Sequence, residues 1–336
     1  MLRETQESAD NAFVVTYYGG DGTLIEIAVL GESLRRSGSR SDKIAIVRKG
    51  IEQWRIDALA NFFQIREVDP FPLSGREMTK NTLGRFHGVF DKLMALKFTE
   101  YQKIALVDGD MLVLKNPDNL FRLPTPAGCF FGRPIACQAG KRIEAGVIRS
   151  NAIQRPGFLN IGLVLLQPSQ DTYEELGASL IERVTRGEQF EFPEQDFLRE
   201  YFINNWHTIE AYYNFSPRNL LWGIPHSIWG KGGDEFRVED LVIVHFARIM
   251  KPLQFLFHPE PTKALLRAER TYTNAVEKFS QMLEIGNLLP LMRDDLSSPF
   301  SAIMSEWLLV YQDLLNEPYW SSVFSRLRPC LLYTSP

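Results

Sequence analysis

The segment Ile104–Phe121, IALVDGDMLVLKNPDNLF, places two carboxylates inside an otherwise apolar stretch. Ile104–Val107 is an apolar run that predicts a buried strand, and a second apolar run, Met111–Leu114, follows at once. Asp108 and Asp110 lie between the two runs. Ionised carboxylates are costly to bury and repel each other, so this segment requires a compensating partner. The nature of that partner decides both the fold and the function.

Strand-like and helical patterns alternate on either side of this segment. The predicted strands are 12–18, 43–47, 64–68, 104–107, 161–167 and 241–246. Helical spacing of apolar residues is seen in 27–34, 51–63, 86–97, 173–184 and 193–202. This alternation predicts an α/β fold with a mostly parallel sheet that is covered on both faces. Ligands of such sheets bind beyond the carboxyl ends of the strands, where Asp108 and Asp110 are expected.

The pattern changes after about Pro259, where amphipathic helices follow one another without strands. The two helices are expected at 262–285 and 301–315. We therefore predict an α/β domain over 1–258 and a helical C-terminal extension over 259–329. The last seven residues, CLLYTSP (330–336), resemble translated sequencing-adapter read-through and are predicted not to be native.

The composition excludes several classes of function. The formal net charge of −4 over 336 residues gives no basic surface for nucleic acid. No apolar run approaches the roughly 20 residues that a membrane span requires. The polar N-terminus has no secretory signal, and three cysteines do not make a disulfide framework. We expect a cytoplasmic protein with no membrane span and no nucleic-acid partner.

The Asp-Gly-Asp triplet has two interpretations. Residues i and i+2 of an extended segment point to one side, so Asp108 and Asp110 can converge on one cation, while Gly109 allows close approach of the backbone. Asp-Gly between apolar runs is equally a hairpin signal. A calcium loop is excluded because Leu112 and Leu114 stand where oxygen ligands are needed. The triplet alone gives the metal site and the hairpin equal weight.

His245 favours the metal. The segment VIVHFARIMKPL (242–253) places it at the end of another predicted strand, with Lys251 just downstream. A histidine at a strand end is more often a packed residue than a ligand, but here it shares a predicted sheet edge with the two aspartates. Two carboxylates and an imidazole suit manganese better than calcium. Lys251 is either a solvated loop cation or a point charge for a phosphate.

Two further groups carry charge in unusual places. Arg85 and Lys92 lie seven residues apart at the border of a helix's apolar face, either as snorkelling side chains or as a pair for a diphosphate. Glu194, Gln195 and Asp196 cluster at a helix start. Acidic groups there complement the helix dipole, which is the alternative to a role in chemistry.

Together these segments resemble glycosyltransferase family 8, the group of glycogenin and galactinol synthase. VDGDMLVLKNPDNLF is similar to its Asp-x-Asp segment, FLNIGLVLLQPSQDTY to its Phe-Asn-(Ser/Ala)-Gly strand, EQDFL to a galactinol synthase stretch, and HFARIMKP to its His-x-x-x-x-x-Lys-Pro ending. The match runs from about Ala12 to Leu253. The resemblance implies a GT-A fold and metal-dependent transfer of a hexose from a UDP-sugar to an acceptor hydroxyl, with retention at the anomeric carbon.

The resemblance also assigns residues by position. It implies metal ligation by Asp108, Asp110 and His245, with Mn²⁺ as the expected ion and Mg²⁺ as the alternative. The implied nucleotide-sugar contacts are Thr16, Tyr17, Gly19, Gly20, Arg85, Lys92, Asp108, Gly109, Asp110, Asn160, Gly162 and Lys251. The implied catalytic residues are Glu194, Gln195, Asp196 and Lys251.

Departures from the family pattern leave a second hypothesis open. Ile161 stands where a small residue is usual, and Arg248 and Leu253 alter the loop after His245. These changes motivate a catalytically inactive relative that binds nucleotide-sugar or glycan as a scaffold, whereas the intact aspartates, His245 and Lys251 favour an enzyme. A metal-dependent phosphohydrolase would need further carboxylates near the triplet. The acceptor (polyol, glycan or protein) and a homodimeric state are also left open.

Overall fold

The structure is a computed structural model that describes residues 10–73, 88–130, 135–154, 158–217, 238–247, 251–253 and 299–333. The chain divides into two compact units. The first unit contains Met1–Tyr18, Ser39–Asp108 and Asp118–Glu210. The second contains Gly19–Gly38, Gly109–Pro117 and Ala211–Pro336.

The secondary structure follows the predicted alternation. The strands are β1 Asn11–Tyr17, β2 Asp42–Arg48, β3 Gln64–Val68, β4 Lys103–Val107, β5 Met111–Val113, β6 Ala127–Phe130, β7 Leu159–Leu166, β8 His207–Thr208 and β9 Ile243–His245. The α-helices are α1 Asp21–Arg36, α2 Gln53–Leu59, α3 Ala145–Gln154, α4 Gln170–Thr185, α5 Pro193–Tyr201, α6 Pro299–Asn316 and α7 Pro318–Tyr333. A 3₁₀ helix covers Val89–Lys97.

The first unit is built on a seven-stranded sheet with the order β3-β2-β1-β4-β7-β6-β8. β3, β2, β1 and β4 are parallel neighbours, and β6 and β8 are parallel to each other. β7 runs antiparallel to both β4 and β6. The sheet is therefore mixed and mostly parallel, which confirms the predicted fold class.

The central strands of this sheet are apolar on both faces. Residues 12–17 of β1 and 104–107 of β4 are all buried. Such runs form central strands because helices or loops cover both sides, so a polar residue on either face would be buried without water. Local signals fix the flanking helices: the Ser169 hydroxyl accepts from Thr172 N at 3.2 Å at the start of α4, and Pro193 opens α5.

The second unit contains α1, a two-stranded sheet and the C-terminal helices. β5 pairs antiparallel with β9, and Met111 lies opposite His245. α1 packs against β5, α6 and α7, and the guanidinium of Arg36 lies 2.9 Å from the Asp313 carboxylate. The predicted helix 301–315 is confirmed as part of α6. The predicted helix 262–285 and the predicted boundary at 258 lie outside the described residues.

The structure differs from expectation in its strand pairing and in one helix, and it contains β6, β8 and α3, which the sequence patterns had not indicated. β5 pairs with β9 rather than with β4, whose neighbours are β1 and β7, so the hairpin interpretation of the Asp-Gly-Asp triplet is wrong. β9 therefore belongs to the small sheet and not to the main one. The segment predicted as a helix over 86–97 forms 3₁₀ turns from Val89 onward. Among the described residues, no helix is long and apolar enough to cross a membrane.

Candidate active site

Polar residues of the first unit gather where β4 ends beside the start of β7. Asp108 follows β4 directly, and its backbone N–H donates to the carbonyl of Gly162 at 2.8 Å. The side chain of Asn160 accepts from Gly162 N at 2.9 Å. Since β7 is antiparallel to β4, its first residues lie beside the end of β4. This register places two of the predicted donor-binding positions, Asn160 and Gly162, next to Asp108.

Lys92 links two carboxylates within this unit. Its Nζ atom lies 3.0 Å from Asp108 Oδ1 and 2.7 Å from Glu194 Oε1. The Lys92 side chain is only 9% exposed. Burial disfavours the charged ammonium, but the charges of Asp108 and Glu194 outweigh it and raise the pKa of Lys92 above its usual range. The lysine therefore carries its positive charge at neutral pH.

Glu194 occupies the first turn of α5 and is buried. Burial raises the pKa of its carboxyl to about 7, the charge of Asp108 adds to this rise, and Lys92 opposes it. A carboxyl with this pKa changes protonation state near neutral pH. Such groups are frequent among catalytic residues, because proton transfer requires access to both states.

In the second unit, Asp110 lies between two basic side chains. Its Oδ1 atom lies 3.3 Å from His245 Nε2, and its Oδ2 atom lies 3.1 Å from Lys251 Nζ. Burial alone would raise the pKa of Asp110, but Lys251 and His245 reverse the effect and hold it well below its ordinary value. Asp110 is therefore an ionised carboxylate in the physiological pH range.

His245 is held in one orientation by its other ring nitrogen. Its Nδ1 atom lies 2.9 Å from the side-chain oxygen of Asn214. Its Nε2 atom faces Asp110 on the opposite side of the ring. Backbone hydrogen bonds hold this region in place, since Phe246 N donates to Asp110 O at 2.9 Å and His245 N donates to Phe215 O at 2.8 Å.

Lys251 is also paired with a carboxylate from α1. Its Nζ atom lies 3.1 Å from Glu26 Oε1 and 2.8 Å from Glu26 Oε2. Glu26 is 5% exposed. Burial raises the pKa of Glu26 above its ordinary value, and the charge of Lys251 opposes that rise.

Gly109 is required by the close approach of α1. A Cβ atom at this position would lie 2.6 Å from Ile27 Cγ1. The glycine therefore permits its backbone to lie directly against α1. A larger residue would clash with the helix.

The other predicted donor contacts lie around the end of β1. Thr16 and Tyr17 are buried in β1, and the Tyr17 hydroxyl accepts from Arg55 at 3.2 Å. Gly19 has φ 109°, a conformation that favours glycine, and the carbonyl of Gly20 accepts from Leu24 N at 3.0 Å at the start of α1. Arg85 lies outside the described residues.

Glu194, Gln195 and Asp196, at the start of α5, have different surroundings. Asp196 accepts from Phe192 N at 3.0 Å and from Arg199 at 2.7 Å, so its carboxylate supports the start of α5. Gln195 is half-buried. Of the three neighbours, only Glu194 has a described ion pair with Lys92. The catalytic assignments of Gln195 and Asp196 stay predictions.

Two residues that contact Lys251 and His245 in the second unit were not predicted. They are Glu26 and Asn214. Glu26 had a usable signal, since it precedes Leu30 by four residues and so borders the apolar face of α1, where a charge needs a partner. Asn214, in the segment YYNFSP, carries no comparable signal.

The fold defines the class of protein. A mixed, mostly parallel seven-stranded sheet flanked by helices, with further helices at the C-terminus, is the GT-A glycosyltransferase fold. A crystal structure of an active-site mutant of LgtC is similar to this chain with a TM-score of 0.53, at 14% sequence identity, over 81% of this chain and 94% of that chain. At this identity the likeness concerns the fold alone.

Sequence comparison gives the family. Residues 24–254 match the family model for glycosyl transferase family 8. The chain therefore belongs to glycosyl transferase family 8, as the motifs had indicated. It is 30% identical over 243 residues to the uncharacterized protein R707 of Acanthamoeba polyphaga mimivirus, which covers 72% of this chain and 82% of that protein. It is 28% identical over 225 residues to galactinol synthase 1 of Solanum lycopersicum, over 64% of this chain and 67% of that protein. Family membership supports a nucleotide-sugar glycosyltransferase.

Proposed function

We propose that this chain transfers a hexose from a UDP-sugar to an acceptor hydroxyl with retention at the anomeric carbon, assisted by a divalent cation. The observation that carries the proposal is the set of contacts around Asp110. One carboxylate oxygen faces His245 at 3.3 Å and the other faces Lys251 at 3.1 Å, within a chain of glycosyl transferase family 8. This arrangement offers donor atoms for a metal on one side and a cation for a phosphate on the other.

The donor set fits a manganese-class ion. The ligands that the family resemblance implies, Asp108, Asp110 and His245, combine two carboxylates with one imidazole, which suits Mn²⁺, with Mg²⁺ as the alternative. Asp110 Oδ1 and His245 Nε2 lie 3.3 Å apart, so both residues could hold the same ion. Such an ion supplies neutralisation of the charge that develops on the departing diphosphate.

Two lysines are proposed to stabilise the negative charge of the diphosphate. Lys251 would contact the phosphates as a compact point charge. Lys92 is held in its charged state by Asp108 and Glu194, so it can stabilise negative charge without first taking up a proton. The remaining donor contacts proposed from the family resemblance are Thr16, Tyr17, Gly19, Gly20, Arg85, Gly109, Asn160 and Gly162.

Glu194 is the strongest candidate for action at the anomeric centre. Retention requires either attack from the face that the leaving group vacates or a covalent intermediate. Glu194, Gln195 or Asp196 would shield or trap the oxocarbenium-like carbon in these two cases. The ion pair of Glu194 with Lys92 favours Glu194 over Asp196, whose carboxylate accepts from Phe192 N just before α5 and from Arg199.

A polyol is the first acceptor to test, since galactinol synthases are among the similar proteins. A glycan hydroxyl or a protein side chain is the alternative. Cytoplasmic localisation, a homodimeric state, a catalytic domain over 1–258 and a helical extension over 259–329 are part of the same proposal.

The test is a panel of UDP-sugars assayed for UDP release with Mn²⁺, Mg²⁺ or EDTA, with and without polyol acceptors. We expect release that depends on the metal and is abolished by Asp110→Asn. The control is Asp57→Asn, which changes an exposed carboxylate on α2. Release by Asp110→Asn equal to that of the wild type would contradict the site assignment. Intact mass spectrometry after incubation with the donor detects self-glycosylation.

The second candidate function is an inactive binding relative. It is favoured by Ile161, a buried residue on β7 where the family usually has a small one. Tight metal-dependent binding of UDP-sugars without release of UDP under any acceptor condition would establish this function in place of transfer.

A further inference from the structure

Carboxylates already occupy the ammonium group of Lys251, so a phosphate would have to compete with them. The family motifs give no indication of this competition. An ammonium group has three N–H donors, and three carboxylate oxygens lie within 3.1 Å of Lys251 Nζ. Two of these oxygens belong to Glu26 and one belongs to Asp110. A phosphate oxygen can therefore reach this ammonium at full strength only by replacing one of these contacts.

The geometry indicates which contact gives way. Asp110 uses Oδ1 toward His245 and Oδ2 toward Lys251. Asp110 is one of the residues that would hold the metal, so its carboxylate is needed beside Lys251 when the donor is bound, whereas Glu26 has no such role. The two contacts with Glu26 are the ones that a diphosphate must displace.

Glu26 can compete with a phosphate for Lys251, because its burial limits the screening of its charge by solvent. It is 5% exposed, and its position on α1 is fixed by buried residues on both sides, Ile25 and Ile27. Its charge is therefore felt by Lys251 with little screening by water or salt. The lysine itself is 30% exposed, so the ammonium is accessible to a ligand from the open side.

We propose that Glu26 is a positioning residue that competes with the diphosphate for Lys251, weakens nucleotide binding and so promotes release of the UDP product. This inference rests on the proposed function. It extends that function to Glu26 of α1. Glu26 would form its ion pair with Lys251 again as the product leaves. The contacts exchange without any covalent step, so no other reactant is needed.

The test is calorimetric titration of UDP in the presence of Mn²⁺ into the wild type and Glu26→Gln. We expect Glu26→Gln to bind UDP more tightly by about tenfold, the factor that corresponds to one charge-assisted contact no longer lost on binding. The inhibition constant for UDP during turnover should fall by a similar factor. Glu26→Asp, which keeps the charge and withdraws it by one methylene, should fall between the two and serves if Glu26→Gln does not fold.

Glu32→Gln is the matched control. Glu32 is also a buried acid of α1, but its partners are Arg35 and Arg36 on the same helix. This variant should alter stability and leave the affinity for UDP unchanged. A merely structural role for Glu26 predicts that Glu26→Gln behaves like Glu32→Gln.

A double-mutant cycle with Lys251→Met identifies the route of the effect. If Glu26 acts through Lys251, Glu26→Gln should no longer tighten UDP binding in the Lys251→Met background. An equal gain in both backgrounds would show direct repulsion of the diphosphate and would overturn the inference. Unchanged or weaker UDP binding by both Glu26→Gln and Glu26→Asp, with a wild type that binds UDP, would overturn the inference alone. A wild type that binds no UDP with Mn²⁺ would overturn the proposed function and this inference with it.

Discussion

At the scale of single residues, the first unit contains a buried carboxyl whose protonation is balanced near neutrality. Glu194 is 8% exposed and lies 2.7 Å from Lys92, and its pKa of about 7 exceeds the ordinary value of 4.5. In the unfolded chain the same carboxyl ionises near its ordinary value. Between these two pKa values the native state binds more protons than the unfolded state, so the free energy of unfolding falls as the pH rises.

The prediction concerns Glu194→Gln, which replaces the ionisable carboxyl group with a neutral amide. The stability advantage of the wild type over Glu194→Gln should fall by about 2–3 kcal/mol between about pH 5 and about pH 8, since one pKa unit corresponds to about 1.4 kcal/mol. Urea denaturation at several pH values measures it. The control is Glu191→Gln, at an exposed position two residues before α5 begins. A difference that stays flat over this pH range would show that Glu194 ionises as readily in the native state as in the unfolded chain.

The residues that sequence could identify are those with a local signal. Asp108 and Asp110 interrupt an apolar stretch, and His245 ends one, so each was recognisable from its neighbours. Glu26 also has a local signal, at the border of the apolar face of α1, but its partner Lys251 is 225 residues away and could not be identified from sequence. Asn214 was missed because its function is defined only by the ring of His245.

At the scale of elements, the close contact between α1 and the triplet determines what residue 109 can be. Gly109→Ala should reduce the free energy of unfolding by about 1–3 kcal/mol, because its Cβ would meet Ile27 at 2.6 Å and overpack the contact. It should also weaken Mn²⁺-dependent UDP binding, since Asp110 must shift with the backbone. Thermal denaturation and UDP titration measure the two effects.

Gly146→Ala is the matched control for this prediction. Gly146 lies in α3, and a Cβ there would meet no atom within 4 Å. Alanine should stabilise that helix by about 0.5–1 kcal/mol relative to glycine. Equal effects of the two substitutions would contradict the role given to the contact between Gly109 and Ile27.

Element types were more predictable than element pairing. β1, β2 and β7 lie where apolar runs predicted strands, because apolar runs of this length indicate buried strands. The sequence could not show that β5 pairs with β9 instead of β4, since strand pairing depends on contacts between distant segments. The same apolar runs and the Asp-Gly signal are compatible with both arrangements.

At the scale of the whole molecule, the C-terminal helices α6 and α7 pack against α1, the helix that carries Glu26. Trp320 of α7 is 1% exposed, and its ring packs against Phe324 at 5.5 Å between centroids. Trp320→Ala should cost about 3–5 kcal/mol of unfolding free energy, as for other large buried aromatic residues. Denaturant unfolding followed by circular dichroism measures the loss.

Tyr319 provides the comparison for Trp320. It is the neighbouring residue and is 44% exposed, so Tyr319→Ala should cost within about 1 kcal/mol. If the two substitutions cost the same, the C-terminal helices do not contribute the buried packing described for α7. The extension would then be an appendage to the second unit.

The small sheet of β5 and β9 has a consequence for the order in which the protein acquires function during folding. Its three paired positions join segments that are far apart in the chain, so a very long loop must close before they can form. Strands of the large sheet such as β1 and β2 are neighbours in sequence and can meet much earlier. A newly synthesised molecule would therefore complete most of its large sheet while Asp110 and His245 are still apart. The proposed ion-binding site would be among the last features to form as the chain matures.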